Sequence, residues 1–145
     1  MRITLQRVSS ACCRVNEQIS GEIGNGLLLF VGFAATDDVP ILSAAAAKCT
    51  ELRIFADTNG KLNHSLLDTG GSILLISQFT LYANCNRGRR PDFTQAAAPE
   101  HAKLLYNDFI LLLRQKGINV QTGIFAADMQ VSLVNDGPIT INLEW

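Results

Sequence analysis

Leu27-Leu28-Leu29-Phe30-Val31-Gly32-Phe33, introduced by Gly24-Asn25-Gly26, is a continuous apolar run bounded by turn residues. A strand with one wet face alternates apolar and polar side chains, whereas a run without alternation is a strand covered on both faces. Ile73-Leu74-Leu75-Ile76, after Gly70-Gly71, reads the same way and delivers a polar segment, Ser77-Gln78-Phe79-Thr80, at its end. Working outward from these two buried strands gives the rest of the domain.

Downstream of Phe33, Thr36-Asp37-Asp38 opens a helix, with a capping hydroxyl, acidic residues in the first turn and Pro40 still inside it. The run Ala44 to Ala47 favours helix, which ends around Leu52. Arg53-Ile54-Phe55 then starts a strand, and Asp57-Thr58-Asn59-Gly60 is a turn. A second helix is expected from about Ala97 to Lys116, with Pro99 in its first turn, Gly117 as its stop and Leu104, Leu105, Phe109, Leu112 and Leu113 as its core stripe.

Upstream, residues 2–8 alternate as a half-buried strand, a second strand spans about Ala11 to Asn16, and a short third piece lies near Ile19. At the other end Met129, Val131 and Leu133 alternate, as do Ile139, Ile141, Leu143 and Trp145, with Asn135-Asp136-Gly137-Pro138 between them. On pattern alone that is a closing hairpin. With neither repeat nor linker, the chain reads as one compact α/β domain over residues 1–145, with many strands and two main helices.

The 145 residues are 48% hydrophobic and only 17% charged, an apolar excess that points to a subunit interface and hence a homodimer. A net charge of −1 excludes a whole-surface field for polyanions, so any nucleic-acid contact is local. Arg87, Arg89 and Arg90 around Gly88 are the local candidate; the alternative is an ordinary solvated loop. The four cysteines form no CxxC and lie far from both histidines, which argues against a zinc site and for free, mostly buried thiols in a reducing cytosol. No signal peptide or apolar span of membrane length is present, and a soluble cytoplasmic protein is expected.

Two segments carry candidate chemistry. Glycine has no side chain and proline no N–H, so Gly137-Pro138 can bring bare main-chain carbonyls against a ligand. Ser77 or Thr80 would need a base and an orienting third group to act as nucleophile; no Gly-x-Ser-x-Gly elbow and no carboxylate cluster stands beside them.

Ser77-Gln78-Phe79-Thr80-Leu81 together with Asn135-Asp136-Gly137-Pro138-Ile139-Thr140 closely resembles the two signature motifs of D-aminoacyl-tRNA deacylases. Gln6-Arg7-Val8, Leu52-Arg53-Ile54-Phe55, Gly88-Arg89-Arg90-Pro91 and Gln121-Thr122-Gly123 are similar to family stretches in the family's order, so the likeness spans the chain. The loop Ala83-Asn84-Cys85-Asn86 is less basic than in relatives, and Ile139 stands where valine is commoner.

The resemblance implies mixed, largely antiparallel sheets in three layers, α/β/β, and a homodimer with active sites at the subunit interface. One subunit supplies Ser77, Gln78, Phe79 and Thr80; the other inserts a cis Gly137-Pro138, flanked by Ile139 and Thr140, whose carbonyls accept the substrate's α-ammonium group. An L side chain is excluded by backbone atoms while a D side chain points to solvent, and achiral glycine is weakly protected. The substrate is D-aminoacyl-tRNA, or glycyl-tRNA, hydrolysed at its ester without metal, cofactor or covalent nucleophile. Main-chain N–H groups near Gln78 and Phe79, with the Ser77 hydroxyl, hold the oxyanion, and the adenosine 2′-hydroxyl helps activate water. Thr80 positions, Arg7 braces the Gly-Pro carbonyl, and Arg87, Arg89 and Arg90 become tRNA backbone contacts. A relative acting on L-aminoacyl groups has different motifs; a serine esterase using Ser77 and a non-catalytic nucleic-acid-binding module are the other readings.

Overall fold

The computed structural model describes residues 1–86 and 88–145, and it puts the apolar run in the middle of the sheet. Strand β3 (Gly26–Gly32) lies between β1 (Arg2–Val15), antiparallel to it, and β6 (Ser72–Ser77), parallel to it; β7 (Val120–Thr122) follows β6 in parallel. Both faces of β3 are buried, in two different cores. Leu27, Leu29, Val31 and Phe33 pack with α1 (Val39–Glu51) and α3 (Pro99–Gln115), while Leu28 packs with Leu74 and Ile76 under a second layer of strands. That layer is the outer half of β1, β2 (Gln18–Ile23) and the first half of β8 (Gln130–Glu144). The layering is α/β/β.

Strand β1 organises the second layer. Along one edge it pairs first with β3, from Arg2 to Val8, and then with β2, from Ala11 to Val15; β8 pairs it from end to end along the other. The two strands expected at residues 2–8 and 11–16 are therefore one, because Ser9-Ser10 interrupts the apolar pattern without interrupting the backbone ladder.

The closing hairpin is overturned by the same pairing. Residues 130–135 face Arg14 to Val8 and residues 140–144 face Gln6 to Arg2, in one direction, so the chain never reverses. Between Gln6 and Val8 the partner jumps from Thr140 to Asn135, leaving 136–139 as a bulge pushed out of a single long strand.

Helix α1 starts later than the sequence suggests. Asp38, not Thr36, is the cap: its carboxylate accepts the Ile41 N–H at 3.1 Å. Asp37 is spent elsewhere, buried in an ion pair at 2.7 Å with the Met1 α-ammonium and accepting the Ala34 N–H at 2.8 Å. On α3 the buried stripe is Leu105, Tyr106, Phe109 and Leu113; Leu104 is 63% exposed, one position off the inward face. Strand β4 (Phe55–Ala56) pairs with β5 (Leu62–His64), and a one-turn helix, α2 (Leu66–Thr69), closed by a Ser65/Asp68 capping box, precedes β6. Cys13 and Cys49 are buried, Cys12 half-buried and Cys85 exposed, all as free thiols. Among the described residues no helix is long and apolar enough to cross a membrane, and no three His, Cys, Asp or Glu side chains form a metal-sized group.

Candidate active site

Strand β6 ends at Ser77, and the chain tightens at once into a 3-10 turn, Phe79–Tyr82. Two contacts pin it. The Gln78 N–H donates to the Val31 carbonyl at 2.7 Å, extending the β3–β6 pairing by one bond, and Arg2 Nη1 donates to the Leu81 carbonyl at 3.1 Å while its guanidinium lies over the Tyr82 ring. The turn comes so close to β3 that a Cβ on Gly32 would stand 2.9 Å from the Gln78 carbonyl oxygen; glycine is the residue that fits there.

The Gln78 N–H, one of the expected oxyanion donors, is thus already committed. The turn has no side-chain cap, and the first N–H groups of any helical turn have no acceptor within it, so Phe79 and Thr80 supply the free main-chain donors. Gln78 Nε2 donates to Thr80 Oγ1, tying the two side chains together.

Ser77, Gln78 and Phe79 line a cleft of about 720 Å³ between the end of β3, the residues leading into α3 and the loop Phe125–Met129. Thr80 is exposed and does not line it. Phe79, 57% exposed, meets Phe93 edge to face at 5.0 Å on the rim. Tyr106 props the floor from below: its hydroxyl donates to the Leu75 carbonyl at 2.8 Å, its ring leans on Phe125, and burial pushes its pKa up. Among the described residues the only ionisable side chain lining the cleft is Asp128, and neither histidine does, so no base is placed for a Ser or Thr nucleophile.

The second motif is elsewhere. The 136–139 bulge sits beside Arg7, which is level with Leu27 on β3, whereas Ser77 is level with Val31. Three strand spacings and four residues of rise separate them, about 20 Å in all. Gly137 has φ +129° and a cis bond to Pro138, as the resemblance implies. Arg7, buried, donates through Nε to the Asp136 carbonyl at 3.1 Å and through Nη1 to the Ile54 carbonyl at 2.5 Å, and pairs with the Asp136 carboxylate at 3.0 Å. It therefore braces the bulge one residue before the glycine, not at the Gly-Pro carbonyl.

Arg89 and Arg90 are exposed on a loop closed by paired main-chain bonds between Asn84 and Asp92, which leads into Phe93 at the cleft; Arg87 lies outside the described residues. A family model described as D-Tyr-tRNA(Tyr) deacylase matches residues 4–144.

The chain belongs to that family.

Curated D-aminoacyl-tRNA deacylases are similar along their whole length. The protein of Desulfotalea psychrophila is 49% identical over 99% of this chain and 97% of its own, and that of Pelobacter propionicus 51% over 99% of each. A solved structure described as c-Myc DNA Unwinding Element Binding Protein superposes with a TM-score of 0.93 at 36% identity, covering 100% of this chain and 99% of that one. One described as a probable eukaryotic D-amino acid tRNA deacylase shares the fold, with a TM-score of 0.84 at 20% identity over 98% and 97% of the two chains.

Within this deacylase family chain, the sequence reading missed the residues that hold the motifs rather than form them. Arg2 secures the 3-10 turn and Ile54 anchors Arg7. Neither carries a local signal: each acts through a partner tens of residues away.

Proposed function

We propose that this protein hydrolyses the ester of D-aminoacyl-tRNA, releasing the D-amino acid and tRNA in the cytosol, as a homodimer whose two sites each take residues from both copies. The observation that carries the reading is that a chain about half identical to curated D-aminoacyl-tRNA deacylases presents Ser77, Gln78 and Phe79 in an open cleft. The distance of about 20 Å between that cleft and Gly137-Pro138 supports the dimer, because one copy cannot bring its own two motifs together. A second copy supplies the Gly137-Pro138 tip to the first copy's cleft.

In this arrangement the aminoacyl ester enters between Ser77 and Phe79. The N–H groups of Phe79 and Thr80 and the Ser77 hydroxyl face the carbonyl oxygen as it gains charge, and water attacks without a covalent intermediate. Gln78 and Thr80 hold each other in place. The carbonyls of the inserted Gly137 and Pro138 receive the α-ammonium group, with Ile139 and Thr140 fixing the tip's exit, and the backbone fills the space an L side chain needs. Each tenfold of selectivity takes about 1.4 kcal/mol of transition-state free energy. Glycyl-tRNA, having no side chain to exclude, is also turned over. Arg87, Arg89 and Arg90 contact the tRNA backbone.

Matched D- and L-aminoacyl-tRNA incubated with the protein test this directly: D-selective ester loss is expected, and equal or absent release ends the proposal. Binding to a DNA unwinding element is a second reading, prompted by the description of the 36% identical structure. A net charge of −1 works against it, since sequence-independent binding draws on positive charge.

A further inference from the structure

The neck of the β8 bulge is held by a side chain that the reaction described above does not use. Asn135, facing Val8, ends the ladder before the bulge, and Thr140, facing Gln6, resumes it. Asn135 Oδ1 accepts the Ile139 N–H at 3.0 Å, and its Nδ2 donates to Thr140 Oγ1 at 3.1 Å. One planar amide thus crosses the base of the loop twice. Gln6 Nε2 donates to the same Thr140 oxygen at 3.1 Å and moors the neck to β1. With both its lone pairs occupied, the Thr140 hydroxyl can only send its proton outward.

The other limb is held separately, by Arg7 on the Asp136 carbonyl and carboxylate. Gly137 and Pro138 are the two residues left between these holds. The ladder fixes Thr140 beyond the tip, and the Asn135 amide adds the hold on the Ile139 N–H, the residue directly after Pro138.

We propose that Asn135 is a positioning residue for chiral selection: its amide fixes where the Gly137 and Pro138 carbonyls project, and so how closely they fit the substrate's α-carbon in the neighbouring cleft. This rests on the function proposed above. It assigns Asn135 an effect on selectivity that a residue serving only stability would not have.

The test compares wild type, Asn135→Ala and Asn135→Asp for kcat and KM on D- and L-aminoacyl-tRNA, with melting temperatures alongside. Misplacement of a positioning group by about 1 Å costs on the order of 100-fold, so Asn135→Ala should lose roughly 10- to 100-fold in kcat/KM on the D substrate. Its D-over-L ratio should narrow while its melting temperature stays within a few degrees of wild type. In Asn135→Asp one carboxylate oxygen still accepts from Ile139 and the other takes the Thr140 proton, so most of the selectivity should return. Should Asn135→Ala fail to fold, Asn135→Ser, too short to cross the neck, gives the same comparison. A D-selective wild type with an equally selective alanine or serine variant overturns the role of Asn135 alone. A wild type without D selectivity overturns the function, and this role with it.

Discussion

Cys49 shows what complete burial does to one titratable group. It sits on the inward face of α1 with no exposed surface, and desolvation pushes its thiol up to about 12. In the unfolded chain the same thiol ionises near 9, so between 9 and 12 the unfolded state loses a proton that the folded state keeps. Stability is thus intact below pH 9 and falls as pH rises above it, by up to about 1.4 kcal/mol per pH unit from this group. Urea denaturation of wild type and Cys49→Ala from pH 8 to 10.5 should show a shallower decline in the variant, and parallel slopes would remove Cys49 from the account. Sequence reading finds the thiol free but cannot grade its burial, which depends on β-strands brought against α1 from elsewhere. Arg7 is the same case: its place in a motif is legible, but its acceptors, the carbonyls of Ile54 and Asp136, are set by long-range packing.

Among the elements, periodicity reports which face of a segment is apolar and says nothing of what lies beyond it. On α3 that fixes the stripe only to within one residue: Leu105 is buried as expected, but Leu104 faces out and Tyr106, not expected, faces in. Leu105→Ala should cost about 2–4 kcal/mol through the cavity it leaves, and Leu104→Ala less than about 0.5, both read from thermal or urea unfolding. Equal losses would mean that the exposed face of α3 is covered by something else. The two errors about the ends of the chain are a single error. Alternation in 129–133 and 139–145 fits either a hairpin or one strand with a bulge; the choice depends on whether the partner strand is long enough to back both arms. Once β1 is divided at Ser9-Ser10, no such partner exists, and a hairpin follows. The strands at 27–33 and 73–76 needed no such knowledge, because burial on both faces is written into every residue of them.

At the level of the whole molecule, one copy carries its two motifs about 20 Å apart. The proposed dimer makes an arithmetical prediction. Two variants, one inactivated at Ser77 and one at Gly137, are mixed under conditions that exchange subunits. Random pairing makes about half the dimers mixed, each with one site free of both changes, so about a quarter of wild-type activity should return. No recovery, with exchange verified by sedimentation of tagged copies, would place both motifs' work in one chain. The apolar residues spaced along β8 are half-buried, packed against the chain's own two cores. In the sequence the homodimer expectation rests on an excess of hydrophobic residues, which does not say where on the surface they gather. The bulge itself has one more consequence. Because regular pairing with β1 resumes on either side of it, the sheet does not depend on what the loop contains. The loop proposed to select the substrate's chirality can be lengthened, shortened or exchanged like a bit in a chuck: the shank stays gripped, and on that proposal a redesigned tip meets a different substrate without a new fold having to be found.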